Sequence, residues 1–333
     1  MTPKLGRHVP LVSFYVDTRT KLTSPFLFLC CLYLLLCLSF PIHSQNFNAD
    51  NLLGFAQSLF HEGDYLNAVH EYQRYLFLYP GTAQADFVQL HIAAAYQNMG
   101  RLSAAIAAYQ LLIQNYPQSQ FIERAQSNIA QCQLLGGDQA TSITSLRQFL
   151  SDYPESELAP RAQFIIATIY MDKRDWTAAA REWQQVRTKY SQTPFAEMSD
   201  QLIRMARQAE SLPRRSPSVA GLLSTCLPGL GQIYSGHYSD GVSSLLVVGA
   251  SAAGTAYYID QERYEVAIPV GIIGLFFYIS SIYDSFQSAK TFNHQHEDQL
   301  RDRLRKRIVE SDLFSASDAP PIDRVLVLLA TRF

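Results

Sequence analysis

The sequence predicts an all-α protein: a helical-repeat solenoid followed by a transmembrane helical hairpin. An 18-residue pattern occurs four times at a fixed step, and apolar residues within each copy fall at helical spacing. Two later segments, 240–259 and 266–283, are apolar over the length of a bilayer span. The 333 residues could hold two domains. The net charge of -2 averages over strongly segregated segments and gives no reason to expect a nucleic-acid partner.

In chain order, residues 26–40, FLFLCCLYLLLCLSF, carry no charge, follow Arg19 and Lys21, and end at Pro41-Ile-His-Ser44. A basic region, an apolar core and a small residue in that order read as a secretory signal over 1–44, cut after Ser44. The leading segment is long for a basic region, so a start downstream of Met1, or an uncut anchor, is the alternative. Cys30, Cys31 and Cys37 follow Leu29, Cys30 and Leu36, which lack the small residue that precedes an acylated cysteine, so lipidation is not expected. Cys132 and Cys226 fall in different halves of the remaining chain and form no disulfide framework. No thiol metal site or cofactor motif is expected, and His294 and His296 read as a solvated helix face.

Residues 63–80, GDYLNAVHEYQRYLFLYP, recur as 100–117, 137–154 and 174–191, a step of 37 residues each time. Ala56, Ala93, Ala130 and Ala167 are equivalent, as are Ala68, Ala105, Ser142 and Ala179, and Tyr72, Tyr109, Leu146 and Trp183. Each copy gives two helices, the first stopped by a Gly-Asp or Gly-Arg turn and the second by Tyr-Pro in three copies. Such pairs bury their apolar faces only against neighbouring copies, which makes a curved α-solenoid.

These residues resemble the tetratricopeptide repeat family over about 48–212: the first-helix alanine, the Gly63-Asp64-Tyr65 turn, the alanine and tyrosine of the second helix, and the closing proline. The step is longer than the family's usual 34, and a late small residue is replaced by Tyr75, Leu112, Phe149 and Val186. Long repeats ending in Tyr-Pro are similar to those of bacterial envelope proteins, which implies a periplasmic adaptor. The resemblance also implies a concave groove that binds a protein or peptide, lined here by Gln57, His61, His91, Asn98, Arg124, Asn128, Gln131, Arg161 and Thr168. Arg124 and Arg161 are repeat equivalents, and stacked guanidinium groups suit an acidic partner. The alternative is that both merely solvate a helix face. No arrangement of nucleophile, base and orienting residue emerges, so an enzyme is not expected.

A basic linker, 213–218, leads to a membrane domain of two or three helices over 219–290. Its approach reads LPGLGQIYSGHYSDG, in which Pro228, Gly229, Gly231, Gln232, Tyr234, Gly236 and Gly241 stand out. No lysine follows the glycines as a phosphate loop would need, so they are expected to allow a turn and close helix contact. The motif resembles a group of small bacterial membrane domains akin to the two-transmembrane-helix family. Gln232 and Tyr234, near membrane depth, need partners inside the domain or on another membrane protein. Gly249, Ala250, Ala252, Ala253, Gly254 and Ala256 are small, which would suit packing of the two spans or homo-oligomers. Counting 218–236 as a third span puts the basic 301–307 in the cytoplasm, as the positive-inside preference favours. Residues 291–333 are expected to form a charged helix over 295–310, a loop and an apolar ending, RVLVLLATRF.

The expected protein is thus an adaptor, held in the inner membrane with its repeats in the periplasm. The alternative is a membrane-complex subunit whose activity lies in the glycine-rich domain.

Overall fold

The computed structural model describes residues 48–311 and 313. The signal over 1–44 and the 324–333 ending lie outside these residues. Thirteen α-helices and one 3₁₀ turn are present among the described residues, with no strand. Eight helices of 14 residues form four pairs: α1 Ala49–Glu62 with α2 Tyr65–Leu78, α3 Ala85–Asn98 with α4 Leu102–Asn115, α5 Ile122–Leu135 with α6 Gln139–Asp152, and α7 Ala159–Asp172 with α8 Trp176–Lys189.

The turn inside each pair explains the Gly-Asp signature. Gly63, Gly100 and Gly137 adopt φ of 85°, 72° and 86°, a left-handed conformation that costs glycine little. Asp64, Asp138 and Asp175 then cap α2, α6 and α8 by accepting from the backbone N–H of Asn67, Thr141 and Ala178. In the fourth copy Arg174 takes the glycine position at φ 60°.

The register residues make the core. Ala56, Ala93, Ala130 and Ala167, the second-helix set Ala68, Ala105, Ser142 and Ala179, and the large set Tyr72, Tyr109, Leu146 and Trp183 are all fully buried. Ser142 keeps its hydroxyl satisfied by donating to the Ala130 carbonyl at 2.8 Å. The large residues that replace the family's late small one are buried as well, and Tyr75 and Phe149 lie against the closing Tyr79 and Tyr153, ring centroids 5.4 Å apart. The Tyr75 hydroxyl lies 3.2 Å from Thr82 Oγ1, so the longer loop and the larger side chain accommodate each other.

A ninth helix, α9 Pro194–Ala206, begins a fifth copy, but a 3₁₀ turn over Arg207–Ser211 follows it instead of a second helix. The place beyond α9 is taken from the far end of the chain. After α10 Pro217–Cys226, α11 Leu230–Tyr234 and α12 Tyr238–Asp260, a single 46-residue helix, α13, runs from Tyr264 to Val309. The charged helix expected as a separate element over 295–310 is therefore the continuation of the second apolar helix. Its Leu300, Leu304 and Ile308 are buried in one cluster with Phe164, Met171, Trp183 and Leu202. Each such side chain contributes about 1.5–3 kcal/mol. Around them Arg305 pairs with Asp172 at 2.8 Å, Asp298 with Arg174 at 2.6 Å, and Arg307 donates to Gln201 at 2.7 Å. Pairs near the surface contribute about 0–1 kcal/mol, so apolar burial holds the tail and the charges set its register.

The third span expected over 218–236 does not form. Pro228 and the left-handed Gly229, at φ 91°, divide that segment into helices of 10 and 5 residues, too short to cross a bilayer. Two helices, α12 and α13, are long and apolar enough to cross. They run antiparallel, with Gly271 beside Thr255 and Gly274 against Ser251. Of the small residues in α12, Gly254 meets Val270, while Gly249, Ala250, Ala252 and Ala253 face outward. The linker is pinned rather than free: the Arg215 N–H donates to Asn293 Oδ1 at 2.8 Å, and Asn293 Nδ2 donates back to the Arg215 carbonyl at 2.9 Å. Linker, tail and solenoid consequently lie at the same end of the hairpin, contrary to the three-span arrangement.

Candidate functional site

The residues expected in the groove divide into those that stay accessible and those the repeat packing absorbs. Asn128, on α5, is buried and donates to the Tyr109 hydroxyl at 3.0 Å, which donates in turn to Gln97 Oε1 at 2.8 Å. Gln131 is buried too, with its amide 3.5 Å from Ser127 Oγ. Asn128 thus belongs to the contact with the preceding copy, and the burial of both corrects their placement on an open face. Helical periodicity placed them on the first helix but not on which side of it the preceding copy packs. Thr168 returns its hydroxyl to the Phe164 carbonyl of its own helix at 3.0 Å. Gln57, Asn98 and Arg161 are half-buried.

His61, His91 and Arg124 come together from three successive first helices. The His91 ring lies 4.0 Å from Phe87, 5.4 Å from Phe60 and 5.8 Å from Tyr72, centroid to centroid. Its Nδ1 donates to the Phe87 carbonyl at 2.9 Å, which leaves Nε2 as the lone-pair nitrogen of the neutral ring. Burial holds the His91 pKa below the ordinary histidine value; the backbone bond opposes this, and the charges of Arg124 and His61 add to it. Arg124 supplies the positive charge of this corner, which aromatic rings wall, and a guanidinium suits a carboxylate.

Asp172 was missed, although it stands at the repeat position of His61 and Asn98, 37 residues apart at each step through Leu135. Carrying the register one copy further finds it. Burial raises its pKa, and Arg305 opposes that rise. At this copy the groove position is therefore occupied by the chain's own C-terminal helix.

The glycine-rich motif forms an elbow of close backbone contacts. A methyl on Gly229 would run into the Gly241 carbonyl oxygen, and one on Gly231 into the Ala220 carbonyl oxygen. The backbone groups freed at the break are satisfied by serines: Gly229 N–H donates to Ser281 Oγ and Gly231 N–H to Ser224 Oγ, both at 2.9 Å. Tyr234 is satisfied by the linker, its hydroxyl accepting from Ser216 N–H at 3.3 Å. Gln232 is buried, with no hydrogen-bond partner for Oε1 among the described residues. Gly236, at φ 84°, supplies the second left-handed turn, and Pro228 closes α10. Among the described residues no group of three His, Cys, Asp or Glu side chains could hold a metal.

Comparison with the curated proteins finds no match. Among solved structures, a tetratricopeptide repeat protein from Parabacteroides merdae ATCC 43184 aligns at 13% identity and a TM-score of 0.41, covering 84% of this chain and 98% of that one. Residues 46–215, just over half of the chain, match the family described as YfiO, outer membrane lipoprotein, and the protein belongs to that family.

Proposed function

We propose that the protein is a membrane-anchored adaptor of the bacterial envelope, whose repeat groove binds an acidic segment of a protein partner. The observation that carries this reading is the His61, His91 and Arg124 corner, where the Arg124 guanidinium and the His61 imidazole act on His91 beside the rings of Phe60, Tyr72 and Phe87. Arg161, one copy beyond Arg124, extends the positive face. The anchor is the α12–α13 hairpin, placed in the inner membrane with the solenoid in the periplasm. Exposed Leu246, Ile272 and Phe276 support lipid contact, and Tyr238, Tyr257, Tyr264 and Tyr283 mark its two ends. Each pair of tyrosines is 19 residues apart along its helix, about 28 Å, close to the hydrocarbon thickness. The basic tail then lies outside, against the positive-inside preference, with Arg305 and Arg307 engaged by Asp172 and Gln201. The outward small residues of α12 are the surface that self-association would use.

A second reading puts the activity in the elbow, and the buried, unmatched Gln232 Oε1 favours it. In-cell crosslinking with mass spectrometry separates the two. The adaptor reading expects a captured partner that is lost with Arg124→Glu and Arg161→Glu. Unchanged capture mapping to 217–290 would contradict it and support the second reading.

A further inference from the structure

The helix that crosses the membrane region is also the helix that closes the solenoid. Position 201 is equivalent to Leu90, Ser127 and Phe164, all buried, and Phe164 lies against Phe195 of the helix that follows its pair. No fifth second helix follows α9, and Arg307 of α13 reaches Gln201 instead. Arg174 points the same way. It holds a left-handed turn that glycine occupies in the other three copies, and its side chain pairs with Asp298 of α13. Release of the tail would expose Leu300, Leu304 and Ile308 together, so the contact is built as a permanent joint.

We infer that this shared helix makes the protein a spacer, holding the repeat groove at a fixed height and tilt above the bilayer. The inference rests on the hairpin lying in a membrane, as proposed above. Leu300 and Ile308 are 17 and 25 residues beyond Tyr283, so the joint stands about 26–38 Å from the membrane edge along α13. A headgroup layer occupies about 5–8 Å of that distance. The Arg215–Asn293 bonds brace the strut midway, with the Arg215 guanidinium over the Tyr234 and Phe292 rings at 4.9 and 5.3 Å. The fourth copy, on which the joint is made, stands at that height, and a partner embedded in the same membrane reaches this end of the groove only with an arm that crosses the gap.

The test uses the full chain in lipid nanodiscs, with Cys226→Ser and spin labels at Gln73→Cys on the solenoid and Gln287→Cys near the membrane edge. Double electron–electron resonance should give one narrow distance distribution. It should at least double in width when Gly-Ser-Gly-Ser is inserted after His294, and again with Leu300→Asp and Leu304→Asp, while circular dichroism retains the helices. A wild-type distribution as broad as the variants', or variants as narrow as wild type, overturns the spacer. A label at Leu246→Cys tests the membrane reading separately: if it is accessible to aqueous nickel chelate rather than to oxygen, the hairpin is not in lipid, whatever the distances show.

Discussion

The solenoid and the elbow solve the same packing problem in opposite ways. In the repeats, large side chains such as Tyr109 and Trp183 fill the space between helices, and small residues are confined to single register positions. In the elbow the backbones themselves touch, with Gly229 against Gly241 and Gly231 against Ala220, and serine hydroxyls take the place of a continuous helical ladder. Large side chains bury area in water, where apolar burial drives folding. On the membrane placement proposed above that drive is absent around the elbow, and close contact with satisfied hydrogen bonds replaces it.

This contrast can be broken most severely at the elbow. Gly229→Ala adds a methyl against a carbonyl and strains a left-handed residue, so the membrane domain should fail to assemble, read as lost detergent-resistant folding. Gly249→Ala, with open space around it within one chain, should leave the folding of that chain unchanged and serves as the control for it. In the solenoid the largest effect belongs to Trp183→Ala, expected to cost about 3–5 kcal/mol in chemical denaturation. Asp175→Ala removes a cap and should cost about 1 kcal/mol. Arg174→Gly should be close to neutral, because relief of about 1 kcal/mol of backbone strain offsets a surface pair of about the same size.

The smallest effect sharpens the difference between the first groove corner and the satisfied network beside it. The pKa of His91 is lowered in the folded state, so the unfolded chain binds its proton first as pH falls. Stability should decline as pH drops below the ordinary histidine value, about 6.5, and level off below the folded value. His91→Gln should flatten that slope in thermal melts at pH 5–8; an unchanged slope would assign it to other groups.

The solenoid was legible because its repeat fixes register: one alignment of four copies gives helix ends, core alanines and the turn glycines at once. The same register brings His61, His91 and Arg124 to one corner, whose role as a groove is the proposal made above. Asn128 and Gln131 were misplaced because a polar residue on a first helix can face either the groove or the packed interior, as Asn128 does against Tyr109 of the preceding copy, and only packing decides. The third span failed for a related reason. Hydropathy measures composition, while Pro228 and the left-handed Gly229 end the helix after 10 residues. The joint between α13 and the solenoid links residues more than a hundred positions apart, such as Arg174 and Asp298, with no local signal beyond the Leu300, Leu304, Ile308 spacing.

The arrangement of one solenoid, one tail and two spans is tested most directly by cysteine labelling in cells made permeable only at the outer membrane. With Cys30, Cys31, Cys37 and Cys226 replaced by serine and Cys132 left buried, one reactive cysteine at a time is placed at the exposed Gln73, Gln261 and Arg303. The account predicts that an impermeant maleimide labels Gln73→Cys and Arg303→Cys alike, and reaches Gln261→Cys only after the inner membrane is opened. Labelling of Gln73→Cys and Arg303→Cys from opposite sides would contradict it, because the tail could not then close the solenoid.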